Sequence, residues 1–167
     1  FEVLLRDARI ERLEALLAGG DRAELDRRLA EREVELQEQF AFIATSNVGG
    51  EFFDPAKVER LREIGAQSWQ RHYDDTIGLA WEEQQRRIAH PPAGDALPAT
   101  EPLLADKPWH RIPRRADELP DPSFGFRMDV PADAFNYGEL HNLAVSRGTL
   151  TDEERFKIND HIVQTIV

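Results

Sequence analysis

The prolines divide this chain before any other feature does. Pro55 stands alone before residue 90, whereas Pro91, Pro92, Pro98, Pro102, Pro108, Pro113, Pro120 and Pro122 crowd the next stretch and Pro131 lies just beyond. Proline lacks the backbone N–H and clashes with the preceding turn, so His90 to Pro122 cannot be one long helix or a central strand. The stretch reads as an extended, irregular connection. Leu103, Leu104, Trp109 and Ile112 supply apolar anchors that a disordered linker lacks, which predicts a strap lying across a helical body. Between Pro122 and Pro131, Phe124, Phe126 and Met128 alternate, and a short strand is expected over residues 124–130.

Upstream of the prolines the periodicity is helical. Val3, Leu4, Ala8, Leu13, Leu16 and Leu17 are read as the apolar face of a first helix, broken at Gly19 and Gly20. Asp21 can cap a second, whose stripe is Leu25, Leu29, Leu36, Phe40 and Ile43. Two helices joined so tightly should fold back as an antiparallel hairpin. Charges crowd both sides of the second stripe, so a protruding hairpin is expected, ending at Gly49 and Gly50. Asp54 and Pro55 give a cap and a first-turn proline for a third helix running from Ala56 to about Gln70. A short helix from Trp81 to Ile88 follows the turn at Gly78.

The far end opens another helix. Thr151 and Glu154 form the capping-box pattern, in which hydroxyl and carboxylate each satisfy a backbone group left over at a helix start. Phe156, Ile162, Val163, Ile166 and Val167 are assigned to one face, and no stop signal follows. Phe1 likewise opens directly on helical sequence. Both ends read as cuts in a longer protein. The expected fold class is mostly α: a helical hairpin and further helices with a Pro-rich strap, divided as residues 1–89, 90–137 and 138–167.

Charge limits the partners. The chain carries 32 acidic against 21 basic residues, a formal charge of −11, so a nucleic-acid polymer is not an expected partner. No apolar run is long enough to span a membrane, no export leader is visible, and no cysteine is present for disulfides or thiolate sites. A cytoplasmic location is expected. With 32% charged residues and a mean hydropathy of −0.55, apolar material is scarce for a compact domain. The stripe Leu25 to Ile43 and the two cut ends then predict self-association as a homodimer.

Spacing alone yields little chemistry. His72, His90, His110, His141 and His161 are scattered, with no pair at metal-binding spacing. His72 beside Asp74 and Asp75 is read as a solvated helix end. His161, roughly 150° from the apolar stripe of its helix, is read from spacing as exposed. Ser68 and Ser146 lack an accompanying base, Gly49 and Gly50 lack the lysine of a phosphate loop, and Arg147 is assigned to the surface. Trp69, Trp81 and Trp109 are expected to be core or strap anchors.

The residue strings carry more. GELHNLAVSRGTLTDEERFKINDHIVQTI resembles the middle of an HD-GYP domain, a bacterial metal-dependent phosphohydrolase that hydrolyses cyclic di-GMP. The family's Gly-x-Leu-Thr-x-Glu-Glu helix start matches Gly148, Leu150, Thr151, Glu153 and Glu154, and its in-helix histidine matches His161. FEVLLRDARI, SWQRHYDDTIGLAWEE, LLADKPWHR and FGFRMDVP resemble an insertion found in one branch of that family.

The resemblance implies that the chain is part of an HD-type helical domain and that His161 is a metal ligand in the intact parent. The metal would be divalent, iron or manganese, and the substrate a cyclic dinucleotide in second-messenger signalling. The parent can be tethered to a membrane sensor. The family's His-Asp dyad with its lysine, its His-His-Glu and its Gly-Tyr-Pro are absent here, and Ile162 stands where many members have proline. The resemblance places the missing signatures before Phe1 and after Val167, so the isolated chain is expected to bind no metal and to be inactive. A helical dimerisation or interaction module without catalysis is the alternative reading.

Overall fold

The computed structural model describes residues 1–48, 54–91, 96–119, 125, 128–145 and 148–166. Within them the chain is mostly helical, with six α-helices and four short strands. Helix α1 (Glu2–Leu17) and helix α2 (Arg22–Asn47) form the expected antiparallel hairpin. The turn depends on its two glycines. Gly19 sits at φ +88°, and a Cβ on Gly20 would lie 2.9 Å from the carbonyl oxygen of Ala15. Asp21 then accepts the N–H of Glu24 at 2.8 Å, capping α2.

Side-chain packing corrects the assigned helix faces. Leu4 and Leu36 are buried in the hairpin seam, while Val3, Leu13 and Leu17 of the face assigned to α1 are exposed, as is Phe40 of the face assigned to α2. Of the stripe of α2, Leu36 is buried and Leu25, Leu29 and Ile43 are half-buried. Phe40 still meets Phe1 edge to face, with centroids 5.7 Å apart. Arg9 pairs with Glu33 at 2.8 Å and Arg12 with Asp26 across the seam; exposed pairs of this kind add little stability. The end of the hairpin at Gly49 and Gly50 lies outside the described residues.

Helix α3 (Pro55–Gly65) starts as read, with Asp54 accepting the N–H of Ala56 at 2.9 Å. It ends five residues earlier than the expected Gln70. The strap explains why. A Cβ on Gly65 would approach Leu104 and Leu140 to 3.1 Å each, and the carbonyls of Gly65 and Gln67 accept the N–H groups of Leu104 and Leu103 at 3.1 and 2.7 Å. The chain turns there into β1 (Ser68–Arg71), which pairs antiparallel with β2 (Ala99–Pro102). Helix propensity is overridden by a tertiary ladder. His72 therefore follows a strand instead of ending a helix, and it is exposed.

Helix α4 (Trp81–Ala89) matches expectation, and the backbone N–H of its cap residue Ala80 donates to Glu83 at 3.1 Å. Trp81, expected as an anchor, is 69% exposed. The strap is more ordered than an irregular connection: after β2 comes a 3-10 turn at Pro108–His110, then β3 (Arg111–Pro113), which pairs antiparallel with β4 (Asp133–Asn136) across an irregularity at Pro113. Among the described residues its hydrogen bonds run to the end of α3, to the start of α5 and to neighbouring strands, so it crosses that helix end. Of the strand expected over 124–130, Phe124, Phe126 and Arg127 lie outside the described residues, and Gly125, Met128, Asp129 and Val130 are not in a strand.

Helices α5 (Glu139–Leu143) and α6 (Asp152–Ile166) close the order. The deepest core lies on α3 and α6, where Leu61 is fully buried and Ile64, Phe156 and Val163 nearly so. Truncating Leu61 to Ala should destabilise the fold by about 2–5 kcal/mol, because the cavity cannot fully collapse. Urea unfolding should show a lower midpoint with an unchanged slope.

Candidate functional site

The first turn of α6 forms as the sequence specifies. The N–H of Thr151 donates to Glu154 at 2.9 Å, and the N–H of Glu154 meets the Thr151 hydroxyl at 3.3 Å. Thr151 and Glu153 are both buried there. The Glu153 carboxylate reaches the Nε2 of His141, 3.2 Å away on α5, and so joins two helices across the intervening loop. Burial alone would raise the Glu153 carboxyl. Hydrogen bonds from its backbone N–H, from His141 and from Thr151 outweigh that and hold it below the usual carboxylate range.

Strap residues position α5. Its N-terminal N–H groups are met by the Ala105 carbonyl, from Glu139 at 3.2 Å, and by the Asp106 carboxylate, from His141 at 3.1 Å. In return Glu139 accepts the N–H of Ala105 at 2.9 Å. Between α3, α5 and α6 lies an open cleft of about 930 Å³. Leu61, Leu140 and Phe156 line its apolar part, and His141, Asp106 and Asp152 its polar part. The guanidinium of Arg114 lies 4.1 Å from the Phe156 ring centroid, which anchors α6 to the strap.

A second polar network ties α4 to the strap. Buried Arg87 lies 3.8 Å from the Trp109 ring centroid and donates to Asp75 at 2.7 Å. Arg71 bridges Asp75 and Glu101, and Lys107 reaches Glu101 at 2.5 Å. Charges alternate along this network, so each carboxylate lies between two cations. Burial would raise the Glu101 carboxyl, but Lys107 and Arg71 prevail and hold it low. The same contacts occupy Asp75, while Asp74 accepts the Thr76 N–H and hydroxyl at 2.8 and 2.6 Å. Neither carboxylate is arranged with His72 as a metal site.

His161 is exposed on α6, and its backbone carbonyl accepts from the Thr165 hydroxyl at 3.2 Å. Of the face assigned to α6, Phe156 and Val163 are buried whereas Ile162 is 51% exposed. Among the described residues no group of three or more His, Asp, Glu or Cys side chains could hold a metal ion. His161 is thus a single candidate donor here, and the donor set does not fit a metal without ligands from elsewhere. His90 contacts the Arg86 carbonyl at 3.1 Å. His110, shifted down chiefly by burial, accepts the Lys107 N–H at 3.3 Å. Ser146 and Arg147 lie outside the described residues.

The His141–Glu153 pair was not legible as a pair. Glu153 falls in the helix-start pattern and His141 in none, and the two lie twelve positions apart in sequence. The place of Glu153 inside the Thr151–Glu154 capping box is the sequence signal that could have pointed to it. Because the folded carboxyl is held low, its contribution is fully present above the unfolded value, about 4.3, and is lost as pH falls through the folded value. Glu153→Gln should therefore flatten the acid limb of a stability–pH profile below about pH 4.5, and Glu153→Ala should cost about 1–3 kcal/mol at neutral pH by leaving buried partners unmet.

No curated protein and no solved structure matches the chain. No helix among the described residues is long and apolar enough to cross a membrane. Residues 95–167, running from the strap through α6, match the family model described as an HD domain, a family generally made up of metal-dependent hydrolases.

Proposed function

We propose that this chain is part of an HD-type phosphohydrolase whose intact form hydrolyses the phosphodiester of cyclic di-GMP with divalent metal ions, iron or manganese. The observation that carries the proposal is the HD-domain match over residues 95–167, which includes the capped helix bearing His161. His161 is assigned as one metal ligand. Its exposed ring leaves it accessible to ligands carried by other helices. Ile158 and Ile162, 50% and 51% exposed on the same helix, support the reading that further helical structure packs against α6. Helix α6 would then sit inside a domain, with the hairpin α1–α2 as its outlying part. The intact protein is read as cytoplasmic or tethered to a membrane sensor.

The test uses a longer protein that includes the flanking sequence. His161→Ala should lower bound metal per chain and abolish cyclic di-GMP hydrolysis, with helicity by circular dichroism unchanged, because Ala is the better helix former. Undiminished metal content with normal turnover would return His161 to an ordinary surface role. The 167-residue chain alone should show no chelator-sensitive hydrolysis, since a lone histidine supplies too few ligands to hold the ion.

A further inference from the structure

Consecutive strap residues hold the start of α5, and one histidine closes the set. Ala105 accepts the N–H of Glu139 at 3.2 Å and donates its own N–H to the Glu139 carboxylate at 2.9 Å, while Asp106 accepts the N–H of His141 at 3.1 Å. Next in the chain, Lys107 donates its backbone N–H to Nδ1 of His110 at 3.3 Å. His110 is half-buried, with the Trp109 ring edge-on to it at 6.1 Å between centroids. Its N–H bonds to the Lys107 carbonyl and its carbonyl accepts the Tyr137 N–H, both at 2.9 Å, so the backbone that carries the ring is held on both sides.

The Lys107–His110 bond exists in one protonation state only. Nδ1 accepts an N–H when it is unprotonated, whereas the imidazolium carries a donor on each nitrogen. Protonation would set donor against donor. The surroundings decide where a charged ring would turn: Glu139 on α5 and Asp106 on the strap face it with negative charge, Lys107 with positive charge, and the Ala105 carbonyl offers an acceptor. Of the flanking cations, Arg111 on β3 is paired with Asp133 on β4, and Arg86 on α4 donates to the Trp109 carbonyl. The Ala105 carbonyl and the Glu139 and Asp106 carboxylates are already in use, because they hold α5 to the strap. A charged His110 therefore competes for those same bonds.

We propose that His110 is a pH-sensitive latch, which holds the strap to the first turn of α5 when neutral and, when protonated, lets go of Lys107 and loosens that turn. The turn presents His141 to Glu153 and sets Leu140 and His141 in the wall of the cleft, so the latch controls how α5 meets α6. Burial is the largest influence on the ring and pulls it below the ordinary 6.5, helped by Lys107 and opposed by Glu139, Asp106 and the Ala105 carbonyl. Folding thus favours the neutral form. Its contribution is fully present above the unfolded value, about 6.5, and is lost as pH falls through the folded value. The latch needs neither metal nor substrate, and it stands apart from the phosphohydrolase reading.

Imidazole NMR and amide hydrogen exchange on the 167-residue chain test it. At neutral pH the His110 ring should carry its proton on Nε2, and it should titrate with a midpoint below 6.5. Between about pH 7.5 and about pH 5 the protection of the Lys107, Glu139 and His141 amides, corrected for intrinsic exchange, should fall about three- to tenfold, while amides in the middle of α2 keep theirs. His110→Asn should abolish that fall, because the Asn carbonyl stands near the place of Nδ1 and accepts at any pH. His110→Ala should leave protection low at both ends of the range. His141→Gln, which removes the other histidine of the junction, should leave the fall at Lys107 intact. A ring protonated on Nδ1 at neutral pH overturns the proposal, as does Lys107 protection that is unchanged by pH or that falls in step with α2. A fall that survives His110→Asn, or one that vanishes with His141→Gln, overturns it too.

Discussion

A segment rich in proline cannot satisfy its own backbone, and much of this structure follows from where its remaining donors go. The N–H groups of Leu103 and Leu104 bond to the carbonyls of Gln67 and Gly65, and flanking residues pair with β1 and β4. Those bonds end α3, draw residues 68–71 into a strand, and bring Ala105 and Asp106 to the start of α5. Prolines are tolerated because, among the described residues, both ladders have two strands and each strand is an edge.

The placement of the site depends on that route. With Asp106 and Ala105 holding the first turn of α5, His141 is presented to Glu153 on the capped turn of α6. The cleft between α3, α5 and α6 is thus framed by strap residues as much as by helices. On the other side of the strap, the Arg87–Trp109 stack and its alternating charges fix α4. Buried charges of this kind are tolerable when neutralised by neighbours, and Arg87 has Asp75 as its partner.

The hairpin is built on a different principle. Its seam is short of large apolar residues, so Leu4 and Leu36 carry the interior and the ion pairs at its edges contribute little. Its outer face remains apolar while the rest of α2 is densely charged.

Local signals in the sequence determined the helix starts. Asp21, Asp54 and the Thr151–Glu154 box each cap as read, and Gly19 with Gly20 form the hairpin turn, because capping and left-handed turns depend on a few neighbouring residues. The identity strings around Gly148 to His161 also pointed to the HD domain that the family match supports. Only the tertiary structure decided where α3 ends, which side of α1 is buried, and that His141 meets Glu153. Each depends on groups far apart in sequence: the strap N–H groups of Leu103 and Leu104 that bond to the carbonyls of Gln67 and Gly65, the opposing surface of α2, and a loop closure. A periodic pattern names a face without saying what packs against it, and a second apolar face on α1 is invisible when both are read as one.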